Sequence, residues 1–146
     1  MSARRGLTLA CCLLIAGALG APGRASATDV RVQVTGVDDR GGDMRVQVCT
    51  PETFLKVCPY RAKVPATPGT TDVIVKDVPP GTYAVIAHHD INRDGKVNQT
   101  LLGVPEEGVG FSRNPMLIMR APTFNETAVP VTGPLVEVNI ALKFEP

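Results

Sequence analysis

Val136-Glu137-Val138-Asn139-Ile140-Ala141-Leu142-Lys143-Phe144 is the stretch from which the fold class is read. Valine, isoleucine, leucine and phenylalanine alternate with smaller or polar residues. Successive side chains of a strand point to opposite faces, so this period of two describes a strand with one buried face. The same pattern recurs upstream. Val30, Val32 and Val34 alternate with Arg31, Gln33 and Thr35, and Met44, Val46 and Val48 alternate with Arg45, Gln47 and Cys49. Asp38-Asp39-Arg40-Gly41-Gly42 lies between them as a turn, which predicts a hairpin. Residues 71–76 and 82–89 read as two further strands around the turn Pro79-Pro80-Gly81. Residues 116–119 and 128–131 read as short ones. Residues 50–68 carry Pro51, Pro59, Pro65 and Pro68 and read as an irregular crossing, with a helical turn over 51–55.

Composition agrees. Fourteen glycines and thirteen prolines scatter singly, which argues against long helices and coiled coils. Six aromatics and no tryptophan make a light core. The chain reads as all-β, an antiparallel β-sandwich of about seven strands in one domain, residues 28–146.

Residues 1–27 read as a secretory signal peptide. Arg4 and Arg5 precede an apolar run over 7–21, and Ala25-Ser26-Ala27 has the form that signal peptidase accepts, with cleavage before Thr28. The run is shorter than the ~20 residues a membrane span needs. The expected destination is the periplasm or the exterior, with no transmembrane segment after cleavage. Loss of Arg4, Arg5 and Arg24 leaves twelve basic against fourteen acidic residues, a net charge near −2. No basic stripe remains to neutralise phosphates, so nucleic acid is not an expected partner. The mature chain keeps two cysteines, Cys49 and Cys58, and an even count in an exported protein predicts one disulfide. A monomer is expected, with its partner unknown.

Residues 90–114 hold four glycines and no clear period, a loop long enough to suggest a role. Its start, Asp90-Ile91-Asn92-Arg93-Asp94-Gly95-Lys96-Val97-Asn98, places side-chain oxygens at positions one, three, five and nine, with glycine at six. That is the first part of a calcium loop. Asp90, Asn92, Asp94 and Asn98 are the candidate ligands, with the Lys96 carbonyl, and Gly95 permits the turn. Position twelve is Leu101, not glutamate, so an EF-hand is excluded as a unit, and Glu106 or Glu107 is the candidate missing carboxylate, with Glu107 as the extra ligand. The competing reading is a loop in which Asp and Asn make Asx-turns. His88 and His89 are adjacent on a strand, point to opposite faces and form no chelate; one is expected at the core edge and the other in solvent.

No enzyme signature emerges. Ser112 is the one serine beyond residue 27, and Gly110-Phe111-Ser112-Arg113-Asn114 lacks the second glycine of a nucleophile elbow. A disulfide would remove the thiols, and no phosphate-binding glycine motif is present.

Three ordered motifs bear a resemblance. Pro80-Gly81-Thr82-Tyr83-Ala84 leads into His89-Asp90-Ile91-Asn92-Arg93-Asp94-Gly95 and on to Gly103-Val104-Pro105-Glu106-Glu107-Gly108-Val109-Gly110-Phe111-Ser112, with Pro122, Phe124 and Ala128 following. This series resembles the bacterial exported family catalogued as domain of unknown function 2141, over roughly residues 29–145. Asp94 stands where that family often has Asn, and Asn98 where it often has Asp. The resemblance implies export and a Greek-key sandwich of the transthyretin-like or immunoglobulin-like kind, with Gly81, Tyr83, His89, Gly110 and Phe111 as motif residues. It implies no activity. The expected function is a non-catalytic binding or accessory module with a cation-stabilised loop at 90–114. The alternatives are a small hydrolase using the 88–112 loop with His89 as base, and a purely structural envelope protein.

Overall fold

The computed structural model of the chain describes residues 26–98, 106–116 and 120–144. The signal-peptide reading falls almost wholly outside the described residues, as do Leu101, the segment 103–105 and most of the strand expected at 116–119. Eight strands and one short helix follow in order: β1 Thr28–Val37, β2 Asp43–Cys49, β3 Tyr60–Pro65, β4 Gly69–Val78, β5 Gly81–Asp90, β6 Val109–Phe111, α1 Phe124–Thr127, β7 Ala128–Val131 and β8 Leu135–Ala141. They form two sheets. One has the order β4-β1-β8, the other β3-β2-β5-β6, with β7 also on β5. β6 and β7 share one edge of β5: β6 pairs with Ile86–His88 and β7 with Gly81–Ala84.

The alternating valines meet where the two sheets face each other. Val30, Val32 and Val34 of β1, Val73 and Val75 of β4 and Ile140 of β8 pack with Met44, Val46 and Val48 of β2 and Val85 and Ala87 of β5. Each such side chain stabilises the fold by about 1.5–3 kcal/mol on burial. The all-β sandwich expectation holds.

Three local readings change. The hairpin of β1 with β2 does not form: the chain leaves one sheet at 38–42 and enters the other. Their apolar faces are opposed across the core, and alternation by itself is the same for strands that lie side by side and strands that lie face to face. One pairing is parallel, β8 beside β1 in register from Asp29 with Leu135 to Thr35 with Ala141. Two strands form where the sequence predicts irregular chain. β3 lies inside the proline-rich 50–68 segment, where Tyr60, Ala62 and Val64 do alternate with Arg61 and Lys63. β6 lies inside the 90–114 loop.

A second, smaller core covers the outer face of the five-stranded sheet. Cys49 and Cys58 form the predicted disulfide, and they pack with Ala84, Ile86 and Phe111 under Phe54 and Phe124. Phe54 meets Phe111 and Phe124 edge-on, with centroids 6.3 and 6.0 Å away. β5 is therefore buried on both faces from Tyr83 to Asp90. Tyr83 turns to the main core, where Tyr60 meets it edge-on at 5.8 Å, and burial holds its phenol above the ordinary range.

Gly110 has a packing reason. After Ala141 the chain turns from β1 to β6, and Val109 and Lys143 exchange backbone hydrogen bonds of 3.1 and 2.9 Å. A Cβ on Gly110 would overlap Ile140 Cγ2 and stand 2.8 Å from the Ala141 carbonyl oxygen. Gly110→Ala should lose about 2 kcal/mol by overpacking, measured as a lowered denaturation midpoint with unchanged slope.

At α1, Glu126 binds Arg120 through both carboxylate oxygens, at 2.9 and 2.8 Å. It also accepts the Thr123 N–H at 2.7 Å. Arg120 first, then Thr123, hold the Glu126 carboxyl down to about 2 from 4.5. A depressed carboxyl stabilises the fold above its unfolded value and stops doing so as pH falls through its folded value. The contribution of this contact should therefore be complete above pH 4.5 and lost toward pH 2. A carbon-detected NMR titration of Glu126 should show a midpoint near 2, returning toward 4.5 in Arg120→Gln.

Candidate functional site

β5 ends in three polar residues, His88, His89 and Asp90, all buried. The pleat sends His89 toward the space between the sheets and His88 and Asp90 to the outer face. The expectation that one histidine meets solvent fails, because Glu107 closes over His88. His88 Nε2 lies 2.8 Å from Glu107 Oε2. His89 Nε2 lies 2.5 Å from the Gly41 carbonyl oxygen in the crossing turn. Its Nδ1 lies 3.6 Å from Asp38 Oδ1 and makes no hydrogen bond among the described residues. Asp38 itself pairs with Arg40. Burial works against its charge, but hydrogen bonds from Arg40 outweigh it and hold the carboxyl below the ordinary range.

Asp90 is the hub of the loop. Arg45 of β2 donates from Nε to its Oδ2 at 2.5 Å. The N–H groups of Asp94 and Gly95 donate to Oδ1 and Oδ2 at 3.1 and 3.0 Å. The loop thus folds back over its own first residue. Arg93 and Gly95 take left-handed backbone, φ +61° and +77°, which lets it close. Asn92 Oδ1 accepts the Asp94 N–H at 3.0 Å, and Asp94 Oδ1 accepts the Lys96 N–H at 2.8 Å. These are Asx-turns. The Lys96 N–H is the main cause that holds the Asp94 carboxyl below its ordinary value.

Glu107 braces the same loop from its far end. Its Oε1 accepts the Ile91 N–H at 2.9 Å, and its Oε2 accepts the Asn98 N–H at 3.3 Å. The Glu106 N–H reaches the Asn98 carbonyl oxygen at 2.9 Å.

The predicted ligand residues are therefore gathered at one end of the sandwich, but in a hydrogen-bonded arrangement. All six carboxylate oxygens of Asp90, Asp94 and Glu107 accept N–H groups. Among the described residues no three His, Cys, Asp or Glu side chains are set to share a metal ion. In this arrangement the carboxylates point at backbone amides and at a guanidinium. Arg45 is the residue that the sequence reading passed over. The signal was present, since a long cation on the polar face of β2 has to find a counter-charge somewhere on that face.

The remaining motif residues serve packing. Ser112 Oγ donates to the Thr127 carbonyl oxygen at 2.5 Å and accepts the Val85 N–H at 3.0 Å, fully buried. Phe111 belongs to the smaller core. Gly81 lies beneath the Tyr83 ring, where a Cβ would stand 3.1 Å from Cε2.

Residues 32–139 match the family described as uncharacterized protein conserved in bacteria, domain of unknown function 2141. The chain belongs to this family. Searches among curated proteins and among solved structures found no match. Within this member of the family, the aspartate that opens the loop is an internal hydrogen-bond acceptor, and the glutamate before the last glycine pair is a buried brace.

Glu107→Ala should cost about 3 kcal/mol, because it strands the buried His88 ring and two partly buried N–H groups. Glu107→Gln should cost less. Hydrogen exchange should accelerate selectively at the Ile91 and Asn98 amides in Glu107→Ala.

Proposed function

We propose that this chain is an exported, monomeric, non-catalytic binding or accessory module, and that its own Arg45 orders the 90–98 loop in the role a bound cation would take. The Arg45–Asp90 contact carries the reading of the loop. A fully buried carboxylate needs a counter-charge, and the guanidinium supplies it from the neighbouring strand. Calcium would have to displace Arg45 and break amide hydrogen bonds to reach the same oxygens.

The non-catalytic reading rests on where the reactive groups lie. The Ser112 hydroxyl is buried with both its hydrogen bonds committed to backbone. His89, the base that a hydrolase would require, is fully buried between the sheets. The thiols are joined. The disulfide also favours an oxidising compartment, as the amino-terminal pattern does.

Thermal melts of the purified protein in EDTA and in millimolar calcium test this. The two curves should coincide, and Arg45→Gln should lower stability by about 3 kcal/mol in both. A ligand bound only by the native state would add about 2.7 kcal/mol at a hundred times its dissociation constant. A calcium-dependent rise that disappears in Asp90→Ala would overturn the reading and restore a cation site.

A further inference from the structure

The outer face of the five-stranded sheet carries an unusual charge row. Arg45 stands directly opposite Lys63 on β3 and opposite His88 on β5, and Gln47 stands opposite Arg61. Like charges directly opposite one another destabilise a sheet. The chain offsets two of these cations: Asp90 pairs with Arg45, and Asp43 with Lys63 and Arg93. Arg61 and Lys56 have no carboxylate partner among the described residues.

A cavity of about 210 Å³ lies between these groups. Its floor is Arg45, Arg61 and His88. One wall is Lys56 and Val57 of the disulfide loop, and the other is the 95–97 stretch of the Asp90 loop, ending in Val97. Val57 and Val97 are 72% and 41% exposed, large values for valines in a chain with so small a core. Both walls are held independently of any ligand, one by the Cys49–Cys58 bridge and the other by the Asp90 and Glu107 hydrogen bonds. The site is thus preorganised, and its unspent charge is positive beside an apolar surface. The Asp90 carboxylate nearby is buried and paired with Arg45, which offsets its charge.

We infer that this cavity binds a small organic anion, with its carboxylate or phosphate head on Arg61 and Lys56 and a short aliphatic body against Val57 and Val97. A guanidinium matches either head by parallel N–H bonds. The volume is below that of drug-sized ligand pockets, which run from about 300 Å³, so the body is short. This names a ligand class for the binding module proposed above and rests on that reading; the cavity shares Arg45 and Gly95 with the Asp90 loop, but the groups assigned to the ligand are Arg61, Lys56, Val57 and Val97.

The test is an amide and arginine side-chain NMR titration of the purified protein, stripped of metal with EDTA and then exchanged into chelator-free buffer. The probes are acetate, hexanoate, inorganic phosphate and hexyl phosphate. The expected result is saturable shifts confined to residues 45–47, 56–61 and 95–97. The hexyl compounds should bind about tenfold tighter than their bare heads, the factor that burying two methylenes gives. The tighter of hexanoate and hexyl phosphate assigns the head. Arg61→Gln and Lys56→Gln should each weaken binding about tenfold with unchanged melting, since both side chains are on the surface, and Arg31→Gln on the opposite sheet should change nothing. Three results would overturn the inference: no saturation at tens of millimolar, equal binding of acetate and hexanoate, or binding indifferent to Arg61→Gln. Because metal has been removed beforehand and Arg45 is left intact, none of these outcomes decides how the Asp90 loop is held.

Discussion

A strand buried on both faces has no water to satisfy its polar side chains. β5 is such a strand, and it ends in His88, His89 and Asp90. That constraint organises one whole end of the molecule. Asp90 takes Arg45 from the neighbouring strand and two amides from the loop that follows it. His88 takes Glu107, which then holds two more loop amides. His89 reaches across to the carbonyl of Gly41 in the turn that carries the chain from one sheet to the other. Unpaired, each of these groups would cost 1–3 kcal/mol or more; paired, they make a rigid loop out of a segment with little apolar surface to bury.

Double burial of β5 depends in turn on the small outer core. The disulfide loop and α1 bring Phe54 and Phe124 over Ala84 and Ile86, and Phe111 completes the cluster. A sandwich with few aromatics thus spends three of its six on the outside of one sheet. The result is a covered strand and, next to it, a groove between two braced loops. Beside that groove stand Arg61 and Lys56, which have no carboxylate partner among the described residues.

Several features were legible before the structure. Alternation placed β1, β2 and β8 and identified their buried faces, and the turn Pro79-Pro80-Gly81 set off β4 and β5. The two cysteines beyond residue 27, an even count, pointed to the bond between Cys49 and Cys58. Asp90 and Glu107 were marked as one constellation by their residue types and spacing. Other features were not. β3 was hidden because four prolines in the surrounding segment outweigh a three-residue alternation of modest side chains. β6 was hidden because three residues are too few to show a period. The partner of Asp90 was hidden because Arg45 is forty-five residues away along the chain.

The sequence by itself determined that this is an all-β domain with one inter-cysteine bond, and which side chains face inward. Those properties are local: a period of two is written in consecutive residues, and burial follows from it. Only the tertiary structure decided which strands are neighbours, that β8 runs parallel to β1, and that the acidic loop meets a guanidinium. The reason is physical. Alternation specifies a face but not a partner strand, and a carboxylate is equally suited to a metal ion, an amide or an arginine until the fold brings one of them within reach.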